Sequence, residues 1–358
     1  MLTIGVDFSK RFSVYSVLDE NGSRIKRAKV INDPKLIHDF FVHILPKGPK
    51  ELAMEATRNW GLYYETVNPY VEHFYLGHPL KMRAITQSET KNDKNDADLI
   101  AQLTQSGFLP KAHVASSDTR QLRSLLRFRS FLVGQRRSIR NQVSTLIDRN
   151  LWPTETPKSF KNLFCQKGLL WLKELSLPER ERFILNQCLD SFKELSEKIK
   201  AIECFVQEQS IHLDGLEYLR TVPGFRKSKT HLYSVLLEID TITRFPKARS
   251  LAHYAGLVPR EYSSGDKHRR GHLVKQANLN LRQAILESVF GAMLKDKALK
   301  IYYQSIKTRA GSGAAIIATA RKLCFAIYHV LKDKRDYIYQ NTQTADSGSF
   351  AASSNSEE

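Results

Sequence analysis

Cysteine is scarce in this chain of 358 residues. Its four examples, Cys165, Cys188, Cys204 and Cys324, stand too far apart for a zinc knuckle or a Cys-x-x-Cys redox pair. They read as ordinary buried or idle thiols. Long apolar runs are missing too: no segment reaches 18 uninterrupted apolar residues, the length that reads as a membrane span. Neither a lipid-facing aromatic stripe on an amphipathic helix nor a lipidation signal is present, which argues against a membrane-surface protein. The chain opens on the strand-like run Leu2-Thr3-Ile4-Gly5-Val6-Asp7 in place of a signal peptide, so a cytoplasmic, reducing location is expected. Acidic residues are in deficit, with 37 Asp and Glu against 55 Lys and Arg and a formal charge of +18. That balance favours a polyanionic partner, nucleic acid first.

The length allows two or three domains. Residues 1–112 read as mixed α/β: strands at Leu2 to Asp7, Ser13 to Leu18 and Ile25 to Val30, with a turn at Asn21-Gly22. A helix around Pro34 to Ile44, a strand from Leu52 to Glu55, a helix from Gly61 to Val67, a strand from Val71 to Leu76 and a helix from Asp96 to Gln105 follow. Three meandering strands and then alternating helix and strand suggest a ribonuclease H-like α/β fold.

The pattern then changes. Leu122, Leu125, Leu132, Ile139, Val143 and Leu146 fall on alternating three-four steps once Arg129 and Arg136 are counted as seam positions. Eight arginines between Arg120 and Arg149 make this helix unusually basic. Contact with an RNA or DNA backbone is one reading and a solvated helix face the other. A second helix from Glu179 to Gln209 carries Leu185, Cys188, Phe192, Leu195, Ile199, Ile202 and Val206 in unbroken three-four steps. Pro153, Pro157 and Gly168 mark a turn region between two antiparallel arms.

From about residue 212 a mainly helical region begins with Leu219 to Phe225, where Val222-Pro223-Gly224 reads as a turn between two helices, an element that often presents backbone N–H groups to phosphate. Residues 339–358, rich in serine, alanine and acids, read as a disordered tail. The expected division is therefore 1–112, 113–211, 212–338 and 339–358.

Two clusters carry chemistry. Asp7 ends the first strand, Glu55 ends the strand Leu52-Ala53-Met54, and Asp93 and Asp96 lie three apart where a polar loop enters a helix, which sets the last two on one helix face. Four carboxylates gathered this way suit two hard cations, Mg²⁺ or Mn²⁺, for phosphoryl transfer. Unrelated surface acids are the alternative, a poor one for Asp7 because a buried strand-end carboxylate is costly without a partner. Asp98, nearby, reads as a helix-surface residue. The second cluster is Tyr254 to Gly265, ending in Ser263-Ser264-Gly265, followed by Asp266-Lys267-His268-Arg269-Arg270-Gly271-His272. A serine becomes a nucleophile only with a base, a metal or a charged environment, and neighbouring cations could hold a scissile phosphate. On pattern alone Ser-Ser-Gly is just a loop, and the catalytic reading is the weaker of the two.

Taken together, Gly5-Val6-Asp7, Met54-Glu55-Ala56, Asp93-Lys94-Asn95-Asp96-Ala97, Val222-Pro223-Gly224, Tyr254-Ala255-Gly256-Leu257-Val258-Pro259, Ser263-Ser264-Gly265, Asn280-Leu281-Arg282 and Ala320-Arg321-Lys322-Leu323 resemble, in order and separation, the insertion-sequence transposases of the one-ten family, the Piv-type DEDD transposases. The resemblance runs to about residue 335. It implies a RuvC-like N-terminal domain, a coiled-coil middle and a C-terminal transposase domain with a catalytic serine. Asp7, Glu55, Asp93 and Asp96 would be the metal-holding quartet, with Mg²⁺ or Mn²⁺. Ser264 would be the nucleophile, with Ser263 its close alternative. The resemblance further implies DNA as substrate, a composite site in a homo-oligomer, dimer or tetramer, and in some members a structured bridge RNA as guide. Arg120, Arg123, Arg127, Arg136, Arg137 and Arg140 would then face nucleic acid, as would Lys267, Arg269 and Arg270. The competing reading is a metal-dependent nuclease or junction resolvase in which water attacks.

Overall fold

The computed structural model describes residues 1–57, 59–85, 93–150, 162–226, 229–264, 267–274 and 276–339. Pro153, Pro157, Gly265, Asp266 and the tail from 340 lie outside the described residues. The chain divides into two compact units, Met1–Ser117 and Asp118–Glu358.

The first unit is a six-stranded mixed sheet with helices on both faces. Its elements run β1 (Leu2–Phe8), β2 (Phe12–Leu18), β3 (Arg24–Ile31), α1 (Pro34–Asp39), β4 (Lys50–Glu55), α2 (Trp60–Val67), β5 (His73–Gly77), α3 (Pro79–Ile85), α4 (Asp93–Gln105) and β6 (Lys111–Ala112). The strand order is β3-β2-β1-β4-β5-β6. Strands β1 to β3 pair antiparallel, β1-β4-β5 parallel, and β6 closes the edge antiparallel. The three expected strands at the N-terminus and the alternation after them are all present, giving the mixed sheet that a ribonuclease H-like reading requires. One departure is local: the expected single helix from Pro34 to Ile44 changes at Phe40 into a π-helical turn, Phe40–Ile44.

Strand alternation divides this core. Ile4 and Val6 of β1, with Leu52 and Met54 of β4, point to the face covered by Ile37, Phe40, Phe41, Tyr63 and Val67. Buried at its centre, the Tyr63 hydroxyl donates to Tyr15 at 2.7 Å, and desolvation pushes the Tyr15 phenol up to about 12. The opposite face, where Ala53 packs with Ile100 and Leu103, is covered by α4.

The second unit contains α5 (Ser117–Asn150), α6 (Gln166–Glu174), α7 (Glu179–Gln209), α8 (Leu216–Thr221), α9 (Lys229–Ile239), α10 (Ala248–Tyr254), the strands β7 (Pro259–Ser264) and β8 (Lys267–Leu273), then α11 (Leu279–Met293) and α12 (Lys297–Lys332). The long helices α5 and α7 run antiparallel. Leu126 and Val206 share one core, Arg129 reaches Glu203 at 2.6 Å, Arg136 reaches Ser196 at 3.3 Å, and Arg149 reaches Glu181 at 3.3 Å. Both seam arginines thus meet partners on the facing helix, which explains how a charged residue occupies an apolar register. Helix α6 fills the far end, where Leu172 packs with Val143, Leu146, Leu185 and Leu189. Gly168, read from sequence as part of a turn, is inside α6, where Cys165 caps the first turn by accepting from its N–H.

Helices α8 to α12 close around a core that includes Leu219, Phe225, Leu251, Ile285, Leu323 and Ile327. Helix α12 is long and apolar enough to cross a bilayer by composition alone. Thr319, Ala320, Leu323, Cys324 and Ile327 on it are fully buried, and its backbone breaks at Gly311 (φ 82°), so it reads as a kinked core helix. Burial pushes the Cys324 thiol up to about 12, in keeping with an inert thiol.

Candidate active site

Register and one glycine bring together the three elements that carry the candidate carboxylates. Strands β1 and β4 are parallel, with Gly5 opposite Ala53 and Val6 opposite Met54. The next step in that register sets Asp7 beside Glu55. By alternation both belong to the face of Gly5 and Ala53, the one α4 covers. At Gly5 a Cβ would lie 2.1 Å from the Ala97 carbonyl oxygen and 2.4 Å from the Ala101 nitrogen, so only glycine lets α4 sit this close to β1. The direction of α4 follows from its far end, where Gln105 donates to the Asp19 carbonyl at 2.7 Å beside the β2-β3 turn. Because β2 ends next to the start of β1, the opposite end of α4, bearing Asp93 and Asp96, is directed toward the end of β1 where Asp7 stands.

Asp7, Glu55 and Asp96 are half-buried, and Asp93 is placed by its backbone as the first residue of α4. The carboxylates of Asp7, Glu55 and Asp96 are hard oxygen donors carried toward one end of the sheet, a chemistry that would fit Mg²⁺ or Mn²⁺. Asp98, two residues on, is occupied differently: it pairs with Arg24 at 2.8 Å and with Arg27.

Ser263 and Ser264 are not in a loop. They end β7 of a two-stranded hairpin, with Ser264 opposite Lys267, Ser263 opposite His268 and Tyr262 opposite Arg269. Sequence reasoning missed this hairpin; a Gly-Asp pair in the sequence between two strand-length runs could have suggested it. The run itself was too polar for alternation to show.

The base of the hairpin is clamped by residues whose role sequence reasoning missed. Arg282 of α11 donates from Nε to the Ala255 carbonyl at 3.1 Å and from Nη2 to the Val274 carbonyl at 2.7 Å. One guanidinium therefore ties the segment before β7 to the segment after β8. Gly256 (φ 66°) makes room for it, since a Cβ there would lie 1.9 Å from Nη2. Arg321 of α12 donates to the Leu257 carbonyl at 3.0 Å. The Ala-Gly-Leu-Val-Pro, Asn-Leu-Arg and Ala-Arg-Lys-Leu segments singled out in the sequence are thus one device holding β7.

Next to this clamp lies a buried carboxylate, Glu238 on α9, whose side chain is 4% exposed. It accepts from Arg127 Nε at 3.1 Å and Nη2 at 3.0 Å and from Asn278 Nδ2 at 2.8 Å, and stands 3.8 Å from Arg123. Asn278 in turn caps α11 by accepting from the Leu281 N–H at 3.0 Å and donates to the Tyr254 hydroxyl.

This network bears on the arginines read as nucleic-acid contacts. Arg123 is 13% exposed and donates to the Leu237 carbonyl at 2.6 Å; desolvation lowers its pKa from the usual range. Its observed partners are protein groups. Arg127 also holds Glu238, though half its side chain is exposed. Arg136 and Arg140 lie over Phe192 and Phe164 at 5.8 and 5.2 Å, and Arg140 donates to Asn162 at 3.1 Å. Arg137 and Arg140 are exposed, and Arg120 is half-buried and engaged. Lys267, Arg269 and Arg270 are placed on β8 by their backbone.

The Val222-Pro223-Gly224 turn departs from its expected phosphate-presenting form. Val222 and Phe225 are fully buried, and Gly224 (φ 95°) packs on α11, where a Cβ would lie 2.4 Å from the Ser288 carbonyl. Its glycine serves helix packing.

Comparison with known proteins shows that a chain with this mixed sheet and this clamped hairpin is an enzyme of DNA transposition. A DEDD-type family model described as "Transposase" matches residues 4–151, and one described as "Transposase IS116/IS110/IS902 family" matches residues 216–304. The chain belongs to the IS110 family of transposases. It is similar to the transposase for insertion sequence element IS1111A of Coxiella burnetii, 24% identical over 93% of this chain and 90% of that protein. A probable family 20 transposase of Pseudomonas aeruginosa is 24% identical over 93% and 98%. The transposase for insertion sequence element IS1328 of Yersinia enterocolitica is 22% identical over 66% and 67%.

Proposed function

We propose that this transposase cuts and rejoins DNA by passing a strand through a serine ester, with the acids of the first unit acting in the same reaction. The observation that supports the reading is the parallel register of β1 and β4 beside the N-terminal end of α4; on it we assign Asp7, Glu55, Asp93 and Asp96 to one metal-holding site. A divalent ion held there, Mg²⁺ or Mn²⁺, would neutralise charge developing on the phosphate oxygens.

In the proposed step the Ser264 hydroxyl attacks phosphorus. A serine–phosphate ester forms, the bond from phosphorus to one sugar oxygen breaks, the serine proton passes to a base, and the departing sugar oxygen takes up a proton. Rejoining is the reverse, with a different sugar hydroxyl attacking. The register opposite Lys267 and near Arg269 and Arg270 supports a phosphate-binding role for β8. The Arg282 and Arg321 clamp supports a fixed position for the hairpin.

Along α5 we assign the exposed Arg137 and Arg140, and further toward its N-terminus Arg127 and Arg120, to nucleic acid, the DNA or a structured guide RNA. The paired arms α5 and α7 we assign to a coiled-coil module, residues 113–211, that joins subunits of a homo-oligomer. Residues 1–112 and 212–338 are assigned as the carboxylate and serine modules.

A nicked, end-labelled element-end DNA tests the reaction. Wild-type protein and Ser263→Ala are expected to give a covalent protein–DNA adduct, Ser264→Ala none, and Asp7→Asn neither adduct nor cleavage. An adduct that persists in Ser264→Ala would overturn the nucleophile. Cleavage with no adduct at all, merely weakened in Ser264→Ala, would favour attack by water.

A further inference from the structure

We propose that the first unit carries a second metal site, separate from the carboxylates, in which His38, Asp39 and His43 bind a borderline transition ion of the Zn²⁺, Co²⁺ or Ni²⁺ class.

The site arises from the π-helical turn after α1. In a regular α-helix, residues five apart are about 140° out of line and cannot share a ligand. Here the Leu45 N–H donates to the Phe40 carbonyl at 3.0 Å, five residues back, and the wider turn brings position 43 round toward position 38. The turn has a packing cause, for Ile37, Phe40, Phe41 and Leu45 are all buried in the same core. Single π-turns recur at functional sites. One consequence of this turn is that the two imidazoles meet edge to face, with ring centroids 6.1 Å apart.

The ligand atoms of His38, Asp39 and His43 lie within 4.8 Å of one another, and all three residues are exposed. Tetrahedral Zn²⁺ with bonds near 2.1 Å needs ligand atoms roughly 3.4 Å apart, a contraction that small side-chain rotations supply. His38 is already oriented: its Nδ1 pairs with the Tyr70 hydroxyl at 2.9 Å, leaving Nε2 for the ion. A hydrogen-bond partner of this kind fixes the ring and tautomer of metal-binding histidines. Tyr70 is itself held, stacked on Phe41 with centroids 5.4 Å apart.

Two imidazoles and one carboxylate favour Zn²⁺, Co²⁺ or Ni²⁺, whereas four carboxylates favour Mg²⁺ or Mn²⁺. Three protein ligands leave positions open for water or an anionic ligand. Helix α1 packs on the sheet face carrying Ile4 and Val6, and α4 on the other face, so the two sites stand on opposite sides of the sheet.

Isothermal titration of the tag-free full chain with Zn²⁺, in excess Mg²⁺, tests this. Wild type and Asp7→Asn are expected to bind one more Zn²⁺ than the His38→Gln/His43→Gln double variant. Tyr70→Phe should weaken that site about tenfold or more. Equal stoichiometry in wild type and the double variant overturns the proposal. So does loss of the extra Zn²⁺ in Asp7→Asn, which would place it among the carboxylates. Circular dichroism confirms that each variant folds, and DNA cleavage plays no part in the readout.

Discussion

The two units hold their candidate catalytic residues by opposite means. In the first, Asp7 and Glu55 ride on adjacent parallel strands, and α4 reaches them because Gly5 lets its backbone into van der Waals contact with β1. In the second, the strand ending in Ser264 is anchored by guanidinium groups donating to backbone carbonyls, beside the buried Glu238 with its cationic and amide partners. Steric fit does not depend on ionisation. Charged hydrogen bonds are stronger individually but leave an uncompensated charge when one partner is lost.

The largest effect should therefore fall on the second unit. Glu238→Gln removes the carboxylate from Arg123, whose guanidinium is nearly buried. A buried pair broken from one side loses about 3–5 kcal/mol. Denaturant unfolding followed by hydrogen exchange in α9 and α11 should show that loss, with β1 and β4 unaffected. A loss spread equally over both units would break the comparison.

A smaller effect belongs to the first unit. Gly5→Ala places a methyl against the Ala97 carbonyl and Ala101 nitrogen, atoms that cannot rotate away. Overpacking of this kind costs about 1–3 kcal/mol, and DNA cleavage should fall further than stability because α4 carries Asp93 and Asp96 away from Asp7. Gly134 in α5 is the control. Among the described residues nothing lies within 4 Å of a Cβ there, so Gly134→Ala should gain about 0.5–1 kcal/mol through helix propensity. Thermal unfolding of both variants reads the opposite signs.

The same contrast explains what could be read from the sequence. Gly5-Val6-Asp7 and Leu52 to Glu55 were legible because alternation and apolar content report directly on strands buried on both faces. The seams of α5 and α7 were legible through their three-four steps, Arg129 and Arg136 included. Three features were not. The β7-β8 hairpin has no apolar alternation, and its order depends on Arg282 and Arg321, which join the chain from α11 and α12. Arg123 looked like any other arginine of a basic helix, because sequence does not show that Glu238 waits 115 residues away. The π-turn at Phe40 follows from how four apolar side chains share one core, which no local pattern encodes.

The smallest effect concerns pH. Glu287 on α11 pairs with His231 of α9 at 2.6 Å and accepts from Gln283 at 2.8 Å. The hydrogen bond from His231, more than Gln283, holds its carboxyl down at about 2, against an opposing contribution from burial. A carboxylate depressed in the folded state stabilises above its ordinary range, near 4.5, and loses that contribution as pH falls toward 2. The side chain is 41% exposed, so solvent screens the pair and the gain is modest. Between pH 4.5 and 2 the wild-type α9–α11 region should therefore lose protection from hydrogen exchange more steeply than Glu287→Gln. The sheet of the first unit, whose helix α4 is seated by backbone contact at Gly5, should show the same acid profile in both. If Glu287→Gln changes the profile of β1 as much as that of α11, polar anchoring does not distinguish the units in the way their geometry requires.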